Sequence, residues 1–337
     1  MHALVCREPG TLALEERPEP VVVAGEVLVQ IRHVGICGTD FHIFEGSHPF
    51  LQYPRVMGHE LSAQVLEAPA SSGLKQGQPV IVNPYLSCGA CHACLSGKPN
   101  CCMRIAVLGV HCDGGMCERV SLPAANLYPA DDLTLEQAAS IEFLAIGAHG
   151  VGRAGVTAGT RTLVIGVGPI GLGAALFASI AGGVVWLMDR DPDRLLAGAR
   201  LMSDAGAIIA DDTAADAALA ATGGNGFDIV IDATGSRPSM ENSFGYVAHG
   251  GTYLLLGVVR EDIAFSDSEF HKREMTLKAS RNAVKADFDA VRTAIAQGLI
   301  SVQDLITHRT TLADAVTDLP RWTSQKQGLI KALISLD

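Results

Sequence analysis

Residues 162–189 read TLVIGVGPIGLGAALFASIAGGVVWLMD. An apolar run ends in Gly166-Val167-Gly168-Pro169-Ile170-Gly171, which fits G-x-G-x-x-G, and an apolar helical stretch leads on to VVWLMD. In a chain with 36 glycines the triplet alone says little. Here it closes a strand and opens a helix, the context of a dinucleotide-binding turn. Gly166 permits the tight turn, Gly168 lets a pyrophosphate approach the backbone, and Gly171 lets the helix pack close to the sheet. The helix start then offers unpaired N–H groups to phosphate. Asp189 ends the next strand, 18 residues past Gly171. A carboxylate there accepts from the ribose hydroxyls of NAD and repels a 2′-phosphate. Arg190 and Arg194 stand nearby and either can attract that phosphate, so NAD is expected and NADP stays open. Thr234-Gly235 and Gly257-Val258 follow later strands and are weaker candidates for lining the cofactor cleft.

The same stretch carries no charge from Thr162 to Met188, which is longer than a membrane span requires. Six glycines and Pro169 interrupt it, as suits a buried strand–helix–strand unit. RDPDRLLAGARLMSDAG is expected to be a helix ending at Gly206, and FDIVIDATG and GGTYLLLGV are further buried strands. Strand–helix alternation implies a parallel sheet covered on both faces. Residues 1 to about 145 differ: TLALEERP, EVLVQIRHVGI, QPVIVNPY and CERVSLPA read as short strands punctuated by Pro and Gly. Near LTLEQAASIEFLAIGAHGVGRAG the pattern turns helical. The tail beyond about 287 is expected to be helical, then to end in the apolar strand LIKALISL and return to the first domain.

The length of 337 residues suits two domains. At 48% hydrophobic and a mean hydropathy of +0.26 the chain can fill two cores, with aromatics at only 5%. A net charge of -11 without a basic run argues against nucleic acid as a partner. Nine cysteines cannot all pair within one chain, and MHALVCREPG lacks an apolar signal core. Reduced thiols, metal ligands and a cytoplasmic setting are therefore expected.

Five of those cysteines crowd into CGACHACLSGKPNCC, and four of them make a ligand set: Cys88, Cys91 and Cys94 with Cys101 or Cys102. A closed set of four thiolates is the structural type of zinc site, and an iron–sulfur cluster is the rival occupant. A second set is dispersed: Cys37 in GICGTDFH, His59 and Glu60 in VMGHE, and Glu142 in SIEFLAIGAH. One Cys, one His and a carboxylate leave an open position, which is the catalytic type of zinc site.

In chain order, GICGTDFH, VMGHE, the cysteine run, GVGPIG and Asp189 resemble the zinc-dependent medium-chain dehydrogenase/reductases, the alcohol and polyol dehydrogenases. The resemblance covers essentially the whole chain. It implies an α/β protein with a GroES-like β-rich catalytic domain over 1–146 and 288–337, a structural zinc lobe at about 86–104, and a doubly wound Rossmann domain over 147–287. It implies two zinc ions per chain and NAD as cofactor. Cys102 becomes the fourth lobe ligand, and Cys37 and His59 hold the catalytic metal with either Glu60 or Glu142. A carboxylate at Glu142 is similar to the sorbitol and threonine dehydrogenase branch. Thr39 matches the hydroxyl that hands off the alcohol proton, His42 the solvent end of that relay, and Asp40 the partner that orients the zinc histidine. YPRVMGHE, GVHCDGG, FSDSEFHKRE and KASRNA look closer still to the bacterial sugar-acid dehydrogenases of the L-galactonate/L-gulonate 5-dehydrogenase branch. An acid substrate needs a cation; Arg281, Lys272, Arg273 and His111 are the candidates, while Arg281 and Asn282 also stand as cofactor contacts. The resemblance further implies a homodimer or homotetramer acting on a small polyol or sugar acid, with no membrane partner. A sorbitol- or threonine-type dehydrogenase of the same family is the alternative function, and a nonenzymatic NAD-binding redox sensor is the one from another class.

Overall fold

The computed structural model describes residues 1–48 and 51–336. The chain divides into two compact units, Met1–Glu142 with Val291–Asp337, and Phe143–Ala290. Both crossings between units fall inside helices, Ile141–Ala154 and Lys285–Ala296.

The second unit is a six-stranded parallel sheet. Its strands, in chain order, are Arg161–Ile165, Val184–Asp189, Gly206–Ile209, Phe227–Asp232, Val247–Leu255 and Thr276–Ala279. In space they run third, second, first, fourth, fifth, sixth, the doubly wound order whose reversal creates a nucleotide crevice. Leu163, Phe227, Val230 and Tyr253 form a core with no exposed surface, as expected of strands covered on both faces. Pro169–Ile180 is a helix with Pro at its start, where the missing N–H costs nothing.

The next helix is shorter than its sequence suggested. It spans Pro192–Leu201, and Gly206 opens a strand instead of closing the helix. Gly206 pairs with Trp186, whose indole occupies the space a Cβ would need. Tertiary packing, not a helix stop, put glycine there.

The first unit is built around the long strand Glu26–Ile36. Its spatial neighbours give the order Leu127–Pro129, Pro79–Val82, Glu60–Glu67, Glu26–Ile36, Lys331–Ser335, Ile306–Thr311. Arg119–Pro123 pairs with the first half of Glu26–Ile36, and Lys331–Ser335 with the second half. Val27, Val29 and Ile31 alternate into the core, each contributing about 2 kcal/mol by burial. Register against Glu60–Glu67 shifts between Ile31 and His33. Beyond that irregularity Val34, Gly35 and Ile36 are all buried, and the strand delivers Cys37 to the start of helix Gly38–Phe44. LIKALISL does return to this sheet, as Lys331–Ser335. The tail is not wholly helical before it: ITHRTT, rich in β-branched Thr, forms the strand Ile306–Thr311. No described helix is long and apolar enough to cross a membrane.

Candidate metal centres and nucleotide cavity

Cys37, His59 and Glu60 bring one ligand atom each to within 4.8 Å of one another. Helix Gly38–Phe44 starts at Cys37, and Asp40 in its first turn accepts the Cys37 N–H at 2.8 Å. His59 and Glu60 lie where the chain enters the strand Glu60–Glu67. Glu142 sits in the first turn of helix Ile141–Ala154 and takes a hydrogen bond from the Tyr85 hydroxyl. It lies outside the close group of three.

Glu60 is also tied elsewhere. Lys331 Nζ stands 2.7 and 2.8 Å from its two oxygens, and donates to Ile36 O at 3.2 Å. Glu60 and Lys331 lie on the two strands flanking Gly35. A Cβ on Gly35 would run into the Glu60 carboxylate, so the central strand needs glycine for the pair to meet. Burial works against the ammonium of Lys331, but Glu60 and Cys37 outweigh it and raise its pKa.

The centre gathers acidic groups. Asp40, Glu60 and Glu142 are almost wholly buried around Cys37, with Lys331 as the opposing charge. Burial pushes Asp40 up, and it lifts Glu142 to about 7. For His59 burial opposes the charged form, yet Cys37, Asp40 and Glu142 carry its pKa well above the ordinary value. Among the described residues Asp40 Oδ1, His59 Nδ1 and Glu142 Oε2 are buried without a hydrogen-bond partner. Unpartnered buried carboxyl oxygens beside a thiol and an imidazole are the donor set a borderline-soft cation satisfies, so zinc fits here. Asp40 lies beside His59 as expected, but at 4.0 Å from Nδ1 it is too far for a hydrogen bond. Thr39 is half-buried, its Oγ1 3.7 Å from Cys37 Sγ, while His42 is exposed one turn on and contacts Ser47 Oγ at 3.2 Å.

The four-cysteine lobe contains Cys88, Cys91, Cys94 and Cys102, with Cys101 exposed outside it. Cys91 Sγ lies 3.5 Å from Cys94 Sγ and 3.9 Å from Cys102 Sγ. Thiolates about 2.3 Å from a tetrahedral zinc stand about 3.8 Å apart, so these sulfurs are already spaced for it. The Ala90 amide and then the Arg104 guanidinium, whose Nη2 is 3.5 Å from the sulfur, lower Cys88 to about 5. Desolvation and the neighbouring thiols raise Cys94 to about 11. Four thiolates this close repel one another and a bound cation would offset that, so the lobe suits zinc too.

In the second unit Gly166 takes φ +86°, and a Cβ on Gly171 would strike the Gly166 carbonyl. Nothing lies within 4 Å of a Cβ built on Gly168, which leaves the turn open above it. Gly166, Gly168, Asp189, Arg190, Arg194 and Thr234 all line a cavity of about 620 Å³. Asp189 Oδ2 accepts from Val167 N at 2.7 Å, fixing the glycine turn, while Arg194 approaches Asp189 only to 3.9 Å. Pro169, Ile170, Gly257, Val258, Arg281 and Asn282 are outside its lining. Val258 is exposed, Gly257 packs against Gly235, and Asn282 holds φ +53° beside an exposed Arg281. Lys272 and Arg273 both approach Glu269 at 3.6 Å, and Arg273 also donates to Val247 O at 2.8 Å. His111 is exposed and accepts from Val107 N at 3.2 Å.

Residues 23–132 match the model of the alcohol dehydrogenase GroES-like domain, and residues 169–297 that of the zinc-binding dehydrogenases. The L-galactonate-5-dehydrogenase of Escherichia coli K12 is 41% identical over 99% of both chains. The chain belongs to the zinc-dependent alcohol dehydrogenase family. Within it, the sorbitol dehydrogenase of Halalkalibacterium halodurans is 29% identical over 93% of this chain and 94% of its own. The alcohol dehydrogenase RspB of E. coli CFT073, solved with NADH, superposes with a TM-score of 0.92 at 30% identity, over 100% of this chain and 99% of its own. This dehydrogenase thus has a GroES-like domain and a Rossmann-like domain.

Three site residues escaped the sequence reading. Lys331 carried a signal, a lone charge inside the apolar run LIKALISL. Tyr85 and Arg104 carried none beyond their closeness to the cysteine run.

Proposed function

We propose that this chain oxidises a secondary alcohol of a sugar acid, of the L-galactonate kind, with NAD as hydride acceptor. The observation that carries it is the cluster of half-buried Cys37 with buried His59 and Glu60, beside a Glu142 oxygen without a partner among the described residues, in a chain 41% identical over 99% of its length to an L-galactonate-5-dehydrogenase. Cys37 and His59 hold the catalytic zinc, and Glu142 is the favoured carboxylate, because both oxygens of Glu60 are engaged by Lys331. Zinc supplies Lewis acidity that makes a bound hydroxyl easier to deprotonate, and NAD accepts the hydride. The protein's part is proton handling and placement. Thr39, beside Cys37, would relay the hydroxyl proton, accepting it as it passes its own on, and exposed His42 is the group at the solvent end of that relay. Lys331 keeps the Glu60 charge from competing for the cation. Asp189 favours NAD over NADP by occupying the space near the ribose with negative charge. Cys88, Cys91, Cys94 and Cys102 hold a structural zinc. Cytoplasmic residence and assembly as a dimer or tetramer belong to the same reading.

Cys37→Ser and His59→Ala are the test. Each loses turnover and one of two bound metals while still binding NADH. Full turnover by either variant refutes the assignment.

A further inference from the structure

Glu142 has one oxygen held and one without a partner. The Tyr85 hydroxyl donates to Oε1, and Oε2 is buried with no hydrogen-bond partner among the described residues. Tyr85 is 6% exposed and Glu142 2%, so water has little room to replace the phenol. The tyrosine is itself fixed from both sides. Its N–H donates to Asn83 Oδ1 at 3.0 Å, and its carbonyl accepts from Asn126 Nδ2 at 3.2 Å. Asn83 Nδ2 in turn donates to the Tyr128 hydroxyl at 2.9 Å. Tyr85 also lies on the short strand Tyr85–Leu86, paired with Ala106–Val107 on the far side of the cysteine run.

We propose that Tyr85 is a positioning residue for Glu142, holding Oε1 so that Oε2 is the oxygen left for the cation of Cys37 and His59. The terminal torsion of a glutamate is broad and nearly two-fold, so an unrestrained carboxylate would present either oxygen or neither. A phenol on a backbone anchored by Asn83 and Asn126 removes that freedom before the metal arrives. Such outer partners contribute typically 10–100-fold to metal affinity. The proposal rests on Cys37 and His59 being a metal centre, and it is independent of the substrate.

The experiment compares the parent, Tyr85→Phe, Glu142→Gln and the double variant as full-length proteins. Cobalt affinity is measured by chelator competition, with lobe metal content and thermal melting followed in parallel. Tyr85→Phe is expected to keep the lobe metal and to bind the second cobalt roughly 10–100-fold more weakly. The double variant is expected to be no weaker than Glu142→Gln alone, since a purely structural role would make the two losses multiply. Unchanged affinity in Tyr85→Phe, or multiplying losses, overturns the proposal. A parent that binds only one metal overturns the metal-centre reading itself. The unsubstituted chain offers an independent reading should Tyr85→Phe not fold. It has five tyrosines, and after 3-fluorotyrosine labelling one fluorine resonance is expected to move with the second metal equivalent and not the first. If none moves, the proposal is wrong.

Discussion

Lys331 Nζ lies 2.7 and 2.8 Å from the two oxygens of Glu60, reaching it across the strand that carries Gly35. Both side chains are buried, at 1% and 0% exposure. Removing one partner leaves the other as an uncompensated interior charge. Lys331→Met is expected to cost about 3–5 kcal/mol, and Glu60→Gln combined with Lys331→Met to recover most of it. Urea unfolding followed by far-ultraviolet circular dichroism measures both. A Lys331→Met protein as stable as the parent would show that the pair contributes nothing.

Gly35→Ala tests the same geometry from the middle. Its Cβ would overlap the Glu60 carboxylate and stand 2.9 Å from Glu60 Cβ. Overpacking of this kind costs roughly 1–3 kcal/mol. Restoring space through Glu60→Ala in the same chain should return only part of the loss, because Lys331 is then unpaired. Calorimetric melting of the single and double variants distinguishes this from a general intolerance of alanine in the strand.

How much of this was legible in the sequence follows from distance along the chain. The glycine turn and the cysteine lobe each lie within a few dozen residues, where local period and spacing speak, although the choice of Cys102 over Cys101 came from the resemblance. Cys37, His59 and Glu142 are weak signals taken singly, and their grouping emerged from resemblance to a family. The Glu60–Lys331 pair spans 271 positions and Tyr85–Glu142 spans 57. Both depend on which elements lie side by side, two strands in one case and a strand and a helix in the other, which no local pattern specifies. Gly206 misled for the same reason: its glycine serves the Trp186 ring across the sheet.

The lobe gives a stoichiometric prediction. Cys102 Sγ belongs to the four-sulfur group and Cys101 is exposed outside it. Cys102→Ser is expected to lose one zinc per chain, and Cys101→Ser to keep two. Metal analysis after dialysis against a weak chelator checks this, and equal losses from the two variants would contradict the ligand set.

The pH dependence follows from Glu142 and His59, both raised in the fold. Glu142 moves from 4.5 to about 7, so the metal-free native state binds more protons than the unfolded chain between those values. Its stability therefore falls as pH rises through that window, and the raised His59 acts in the same direction through higher pH. Zinc reverses the trend, since it binds the deprotonated ligands and more tightly as pH rises. Melting temperatures of metal-free and zinc-loaded protein between about pH 5 and 8 should diverge with increasing pH. Parallel curves would mean that these groups are not the metal ligands.

Sugar-acid oxidation by NAD at a zinc centre is measured by steady-state assay of the zinc-replete protein over hexonates, polyols, threonine and simple alcohols, with NAD and NADP in parallel. The predicted result is the highest kcat/KM with a hexonate of the L-galactonate kind and NAD, lost on removal of the catalytic metal. Activity confined to simple primary alcohols, or undiminished in metal-free protein, would contradict it.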